Sequence, residues 1–436
     1  MSLKTHTPRS LEGLKKIILN GQKLLFTGAK TSTVIPFNKE DELRKSGVLD
    51  IVDLSCLEKK INLDGEVVTV QGPVSWQELR SYLHEHSLEI GCWPTDQSAF
   101  VLSGVATSAT GERCFSHGTI RDQVDSLKYM SNRGEVVALS SQNATPFANE
   151  SYQNLYEIYK DYKNAPFPRF EKETDLMVGT EGQLGVITEV SLKTFPLRTT
   201  TYILLPLDCW KESNASIKYI EWAREQSEVY SFEFFDSRCI ELCNESAMNG
   251  EKDYLVFEVE ESVLESFVEK LCQVDESIDL EEMMVLDEKK FLSFRVSIPR
   301  GVNEFISHNN LVKMGTDAQV RSENFKELLD LYREMAKKGV DHALFGHIGD
   351  CHLHFNFLPK EDQVDECLVL LDIFYDNLLN LKGSPFAEHG IGTVKIKYIS
   401  RFYTKEVLNL FHRLKTEMDP EGIFFPQGFM GAYERS

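Results

Sequence analysis

Short strand-forming runs closed by glycine turns constrain the first part of this chain more than any other feature. Between residues 20 and 197, "KLLFTGA", "EVVTVQGPV", "VDSLKYM" and "GVITEVSLKTF" are rich in valine, isoleucine and threonine and break off after a few residues. Helical spacing enters only locally, as in "SWQELRSYLHEHSL", so this part predicts an α+β domain. From residue 160, "KDYKNAPFPRFEKE" combines proline with charge and is expected to form an exposed loop inside that domain.

From "TTTYILLPL" onward the pattern changes. Strand-like runs alternate with longer helices, "ESNASIKYIEWAREQS", "ESFVEKLCQV" and "SENFKELLDLYREMAKKG", the last with Ser322 placed to cap it and Gly339 to stop it. This predicts an α/β layer with an antiparallel sheet and helices on one side. A chain of 436 residues with 42% hydrophobic content has enough apolar material for about two domains. Their boundaries are read as 1–197 and 198–397, with 398–436 as a C-terminal segment.

Charge narrows the function classes. Lysine and arginine number 47 against 68 aspartates and glutamates, a formal charge of -21, which speaks against nucleic acid and anionic membrane surfaces as partners. A small anionic substrate would need a local basic pocket. No apolar run reaches the roughly 18 residues of a membrane span, and the opening residues lack the apolar core of a signal peptide, so a soluble, cytoplasmic protein is expected. Nine scattered cysteines read as reduced thiols. A four-cysteine iron-sulfur pattern, a phosphate-binding GxxxxGKS or GxxxxGKT loop and HExxH are all absent.

"FGHIGDCHLHFN", residues 345–356, packs three histidines into an apolar neighbourhood. In a strand, His352 and His354 face the same side, Asn356 extends their row, and His347, read as lying on the preceding loop, can reach the same face. Two imidazoles need at least one more ligand to hold a divalent cation. After the helix "EDQVDECLVLLDIFYDNLLNL", with its stripe of Val364, Leu368, Leu371, Tyr375 and Leu378, Glu388 of "SPFAEHGIGTVK" can complete a His/His/Glu set. His389 would then sit beside the metal as a base. A hydrogen-bonded polar strand is the alternative.

"GHIGDCHLHFN", "EHGIGTVK" and "MDPEGIFFP" together resemble the C-terminal signature of the FAD-linked D-2-hydroxy-acid dehydrogenases, the group of D-lactate, glycolate and D-2-hydroxyglutarate dehydrogenases. "FTGAKTS", "VTVQGPVSWQELRSYL", "LSGVATSATGERCFSHGTIRDQV" and "DLMVGTEGQLGVITEVSLKTFPL" are similar, in order and spacing, to a vanillyl-alcohol-oxidase-type FAD-binding domain. The resemblance implies that domain plus an α/β cap, with the C-terminal segment returning to the first. A flavin pyrophosphate needs close backbone donors, which turns at Gly28, Gly104, Gly111, Gly118 and Gly182 permit, with hydroxyls from Thr31, Ser32, Ser108 and Thr119. Lys30, Glu181 and Ile187 lie in the same segments and are assigned to the cofactor with them, as is Pro94.

Carried over position by position, the resemblance implies zinc or manganese on His347, His354 and Glu388, with His389 as base. Asn356, Arg295 and Lys313 would contact the substrate, the two cations gripping its carboxylate. The implied reaction is metal-assisted oxidation of a 2-hydroxy acid, D-configured, with electrons passed to a separate protein or quinone, and a homodimer is allowed. The chain departs from the pattern at four places. "GDGNLH" reads "GDCHLH", which puts Cys351 and His352 where glycine and asparagine are expected; "GGGTS" reads "GAKTS"; "QPGVTW" reads "QGPVSW"; and Phe425 takes an asparagine position. An alkyl-dihydroxyacetone-phosphate synthase-like transferase and a non-catalytic flavin-binding subunit are the competing functions.

Overall fold

The structure is a computed structural model in which residues 4–20, 23–35, 37, 43, 50–148, 150–243, 248 and 250–431 are described. The chain divides into two compact units. The first comprises Met1–Gly111, Gly118–Leu197 and Glu388–Ser436, and the second comprises Glu112–His117 and Arg198–Ala387.

In the first unit, β1 (Lys4–His6), β2 (Leu24–Thr27) and β3 (Asp50–Asp53) form a parallel sheet in the order β1-β3-β2. An antiparallel sheet contains β4 (Lys60–Asp64), β5 (Val67–Gln71), β6 (Leu88–Ile90), β7 (Val124–Met130), β8 (Val136–Ser140) and β9 (Val186–Pro196). Its order is β4-β5-β9-β7-β8, with β6 also on β9. In β5 the buried side chains alternate, Val68 and Val70 facing the core, which is the period-two pattern of a half-covered sheet. The helix Trp76–His84 opens on a capping box, Ser75 accepting from the Glu78 N–H while the Glu78 carboxylate accepts from Ser75 N–H. Late in the chain, Ile423 O accepts from Leu24 N–H at 2.8 Å and Phe425 N–H donates to Leu24 O at 2.8 Å. Phe425 packs with Leu25 and Ile51, a buried apolar setting that suits its departure from asparagine.

The segment from residue 160 is irregular, as expected, but it is not exposed. Tyr162, Phe167 and Phe170 are buried, and Phe170 is fully enclosed. Aromatic packing explains the difference: Phe167 meets Tyr156 and Tyr403 edge-on at 5.2 Å and 5.8 Å, and Phe170 meets Phe411 at 5.9 Å. The segment's carbonyls are satisfied by side chains instead of a ladder, with Tyr152 and Tyr156 hydroxyls donating to Pro168 O and Thr145 donating to Phe170 O.

The second unit is built on an antiparallel sheet of eight strands among the described residues: β10 (Thr200–Leu207), β11 (Val229–Phe235), β12 (Asp253–Glu260), β13 (Met284–Asp287), β14 (Met314–Gly315), β15 (Ala318–Gln319), β16 (His342–His347) and β17 (His352–Phe357). The order is β13-β10-β12-β11-β16-β17-β14, with β15 also pairing β17. Helices cover both faces, where one was expected. Phe291, Phe294 and Ile298 of the helix Glu288–Asn309 pack with Tyr202, Tyr254 and Phe235 on one side. On the other, Tyr219 and Phe267 meet Phe257, and Tyr332 stacks on Phe355 and Phe374. The central strands are buried at nearly every position, so each of their faces requires a cover. Ser322 opens a short 3₁₀ turn, Ser322–Asn324, and Phe325–Ala336 follows as the helix proper, with Gly339 at φ 76 beyond its end.

Candidate functional site

The face of the second sheet that packs on helix Glu288–Asn309 is apolar over Tyr202, Tyr254 and Phe345, and turns polar further along the same strands. There it carries Ser231 and Glu233 of β11, Glu258 of β12, His347 of β16, and His352, His354 and Asn356 of β17, all buried. Buried charges of this kind need partners. The Arg113 guanidinium reaches Glu258 at 2.6 Å, and Arg295 reaches Glu112 at 3.2 Å and Glu233 at 3.9 Å. Glu233 Oε1 in turn lies 2.7 Å from His347 Nδ1.

The β16–β17 hairpin sets the register of the histidines. His347 pairs with His352 and Phe345 with His354, so His347 is the last residue of a strand, not part of the preceding loop. The strand continues that far because Gly346 adopts φ 149 against its partner, where an added Cβ would lie 2.7 Å from His352 O. At the turn Cys351 keeps the left-handed conformation of the expected glycine, φ 53. Its thiol is buried against Arg224, and burial pushes its pKa up to about 12, which marks a packed group and not a nucleophile.

Two further segments run beside β17. Ala318 and Gln319 of β15 pair with Leu353 and His352, and Gln319 exchanges backbone hydrogen bonds with Ser384 at 3.0 and 2.8 Å. Ala387 N–H then donates to Asp317 O at 3.3 Å. The division between units falls at the next peptide bond, where Glu388 opens the returning segment of the first unit. One ligand atom from each of Asp317, His352 and His354 lies within 4.8 Å of the others, all three residues buried. His352 Nε2 is 2.9 Å from Asp317 Oδ1. His354 Nδ1 is 3.3 Å from the carbonyl of Thr316, which can only accept, so Nδ1 is the donor of that bond. Asp317 was missed in the sequence. Its one local signal is the short polar run "GTDAQ".

Asn356 lies at the end of the histidine row, its Nδ2 donating to His354 O at 3.1 Å and its Oδ1 set over Gly315 of the neighbouring strand. Lys313 precedes that strand. It is exposed, yet the protein around it partly desolvates its ammonium and lowers its pKa. Arg295 is instead buried between Glu112 and Glu233 beneath the polar face. His389 follows Glu388 and is half-buried.

The residues assigned to the flavin lie in the first unit. Gly28 packs against Ser103 and Phe100, and Gly104 against Trp76, so these two serve close packing of the loop and the helix Val101–Thr107. Gly111 is held at φ 150, and a Cβ there would lie 2.5 Å from Trp93 O and 3.0 Å from Pro94 Cα. Lys30 at φ 60 pairs with Asp53 at 3.2 Å; Thr31 is exposed; Ser32 Oγ accepts from Val34 N–H. Ser108 at φ 51 donates to Asn164, while Thr119 N–H and Oγ1 both bond Asp122 next to Gly118. Glu181 at φ 54 accepts from Ile391 and Gly392 N–H beside Gly182, and burial raises its pKa. Ile187 is buried in β9. The hydroxyls of Thr27, before Gly28, and Thr110, before Gly111, are buried without a hydrogen-bond partner, which is what a polar cofactor lying along these two loops would supply. His117 belongs to the second unit, stacked on Tyr230 at 5.7 Å.

Among the described residues no helix is long and apolar enough to cross a membrane. The nine cysteines form no disulfide. Comparison with known proteins supplies the family. The chain is 22% identical to a mitochondrial cytochrome-type D-lactate dehydrogenase of Kluyveromyces lactis, over 96% of this chain and 72% of that protein. It is 24% identical to a D-lactate dehydrogenase of Archaeoglobus fulgidus, over 85% and 78%, and 25% identical to a mitochondrial D-2-hydroxyglutarate dehydrogenase of Danio rerio, over 84% and 66%. The fold matches a solved alkyldihydroxyacetonephosphate synthase with a TM-score of 0.68 at 14% identity, over 97% of this chain and 76% of that one. The vanillyl-alcohol-oxidase-type FAD-binding fold with an antiparallel α/β cap is therefore the fold of this chain. Residues 8–140 match the FAD binding domain and residues 202–427 match the C-terminal domain of FAD linked oxidases, so the chain belongs to the FAD-linked oxidases.

Proposed function

We propose that this FAD-linked oxidase converts a D-2-hydroxy acid to the 2-oxo acid, assisted by a divalent cation, and passes the electrons to a separate protein or quinone. The observation that carries the proposal is the buried group of His352 and His354 on β17 with Asp317 beside them, Asn356 and Lys313 standing at the end of the row. The relatives named D-lactate and D-2-hydroxyglutarate dehydrogenase support the substrate class. When bound, FAD would accept hydride from C2, and zinc or manganese would acidify the 2-hydroxyl.

The chain's own residues divide the remaining work. His354 belongs both to the group in the structure and to the set inferred from the sequence, in which His347 and Glu388 are the other ligands. Lys313 attracts the substrate carboxylate, a role it is suited to as an accessible cation in a chain of charge -21. The Asn356 amide can bond the same anion. Arg295 adds positive potential from beneath the polar face, since Glu112 and Glu233 already engage its guanidinium. His389 takes the hydroxyl proton. The likeness to alkyldihydroxyacetonephosphate synthase supports the fold alone, and a non-catalytic subunit would have no use for the imidazole–carboxylate group.

A dye-linked assay with paired D- and L-2-hydroxy acids tests the proposal. Dye reduction with one or more D-acids and little with their L-partners is expected. FAD-loaded protein that reduces dye with none of them would refute it.

A further inference from the structure

We infer that Glu181 is a positioning residue: its carboxylate clamps the backbone of Ile391 and Gly392 and so fixes His389, just before them, against the cofactor loops. The inference rests on the reading of His389 as the base, and it gives Glu181 a role other than contact with the flavin. Every group it invokes lies in the first unit.

The run "GTEG", residues 179–182, is held on the end of the helix Val101–Thr107. Gly179 N–H donates to Val105 O at 3.3 Å and Glu181 N–H to Ala106 O at 2.8 Å. Glu181 takes φ 54 between Gly179 at φ 74 and Gly182 at φ 70, a left-handed backbone that a non-glycine residue keeps only where its surroundings fix it. The side chain supplies that fixing. Its Oε1 accepts from Ile391 N–H at 2.6 Å, and Gly392 N–H donates to Oε1 at 3.2 Å and to Oε2 at 3.1 Å. Burial raises the pKa of the carboxyl, while the two N–H groups and Lys395 favour its ionised form.

The returning segment is shaped to receive the carboxylate. A Cβ on Gly390, at φ 75, would lie 2.6 Å from Glu181 Oε1, and one on Gly392, at φ 54, would lie 2.2 Å from Val34 O. Val34 O also accepts from Thr393 and Val394 N–H at 3.0 and 3.2 Å. The turn after His389 is thus tied on one side to the loop of Glu181 and on the other to residues 28–34, two of the segments assigned to FAD. Two glycines would otherwise leave this turn loose. A base misplaced by about 1 Å loses on the order of 10² in rate, so the clamp bears on the chemistry through His389.

Hydrogen exchange of the FAD-loaded protein, read by mass spectrometry on peptides spanning residues 388–398, tests the clamp without any substrate. Glu181→Ala should keep its FAD and exchange roughly 10- to 100-fold faster there, the loss expected of hydrogen bonds to a charged acceptor. Glu181→Gln keeps one acceptor oxygen and the shape of the side chain; it should exchange at an intermediate rate, and it decides the matter should Glu181→Ala fail to fold. Unchanged exchange would overturn the inference, and loss of FAD alongside it would return Glu181 to the cofactor. With a hydroxy acid that reduces the flavin, Glu181→Ala should slow reduction roughly tenfold or more, but less than about twofold when His389 is already alanine, since nothing is left to place. Equal slowing in both backgrounds would refute a role through His389. Faster exchange in a protein whose flavin no hydroxy acid reduces would leave the clamp standing and remove the proposed function.

Discussion

The histidines on the polar face have partners that differ from ring to ring: Glu233 for His347, Asp317 for His352 and the Thr316 carbonyl for His354. These partners set which nitrogen can serve a cation. Glu388→Ala is expected to remove metal and activity together. His389→Ala should keep metal and FAD but slow flavin reduction by a factor on the order of 10² to 10⁴, the usual contribution of a positioned base. Rapid-mixing measurement of flavin reduction, with metal content determined in parallel, checks both; an unchanged rate in His389→Ala places the base elsewhere. Gly346→Ala should destabilise the protein by roughly 1–3 kcal/mol, because the new methyl would press on His352 and Leu353 from a backbone that alanine avoids. A thermal melt reads this directly. At this scale the sequence was partly legible. The alternation of "HLHFN" puts His352, His354 and Asn356 on one face without any coordinates. Asp317 could not be found that way, since it reaches the histidines through the pairing of β15 with β17, which local spacing does not encode.

Helix starts, caps and irregular segments carry the next level of control. Asp236 and Asp253 bind the start of helix Ser237–Cys243, Asp236 accepting from Cys239 and Leu344 N–H and Asp253 from Ser237 and Trp210 N–H. Burial nevertheless raises their carboxyls from 3.8 to about 6 and about 7. Between these values the folded form binds protons that the unfolded chain has released. Their contribution to stability is therefore full below the unfolded pKa and is lost as pH rises through about 6 and about 7, an effect on the order of 1–3 kcal/mol per group. Asp253→Asn cannot titrate, so its Tm deficit relative to the unaltered protein should shrink between about pH 5 and about pH 8. A constant deficit would mean that Asp253 stays charged throughout. In the first unit, Phe170→Ala should cost roughly 3–5 kcal/mol, since it empties a fully buried site beside Tyr152 and Phe411. An effect below about 1 kcal/mol would show that the segment is as exposed as its composition suggests. Proline and charge marked that segment as irregular; the burial of its aromatic rings depends on Tyr403 and Phe411, more than 200 residues later.

Over the whole molecule, the chain leaves the first unit twice and returns to it with Glu388–Ser436. "MDPEGIFFP" falls in that returning segment, while the transfer of Glu112–His117 to the second unit had no local mark. With a charge of -21, the acid of the proposed reaction would have to be recognised locally, at Lys313 and the polar face of the second sheet on that proposal. Raising ionic strength should accordingly change the Michaelis constant little, and Lys313→Met should raise it strongly. A steep salt dependence that survives Lys313→Met would place the anion's attraction on another surface. The most direct measurement is anaerobic titration of the FAD-loaded protein with D- and L-2-hydroxy acids, following the visible absorbance of the flavin with no electron acceptor present. Bleaching by a D-acid, abolished by prior chelation and restored by a divalent cation, is the expected result; a flavin that stays oxidised with every acid, metal present, would contradict the assignment of this site to hydroxy-acid oxidation.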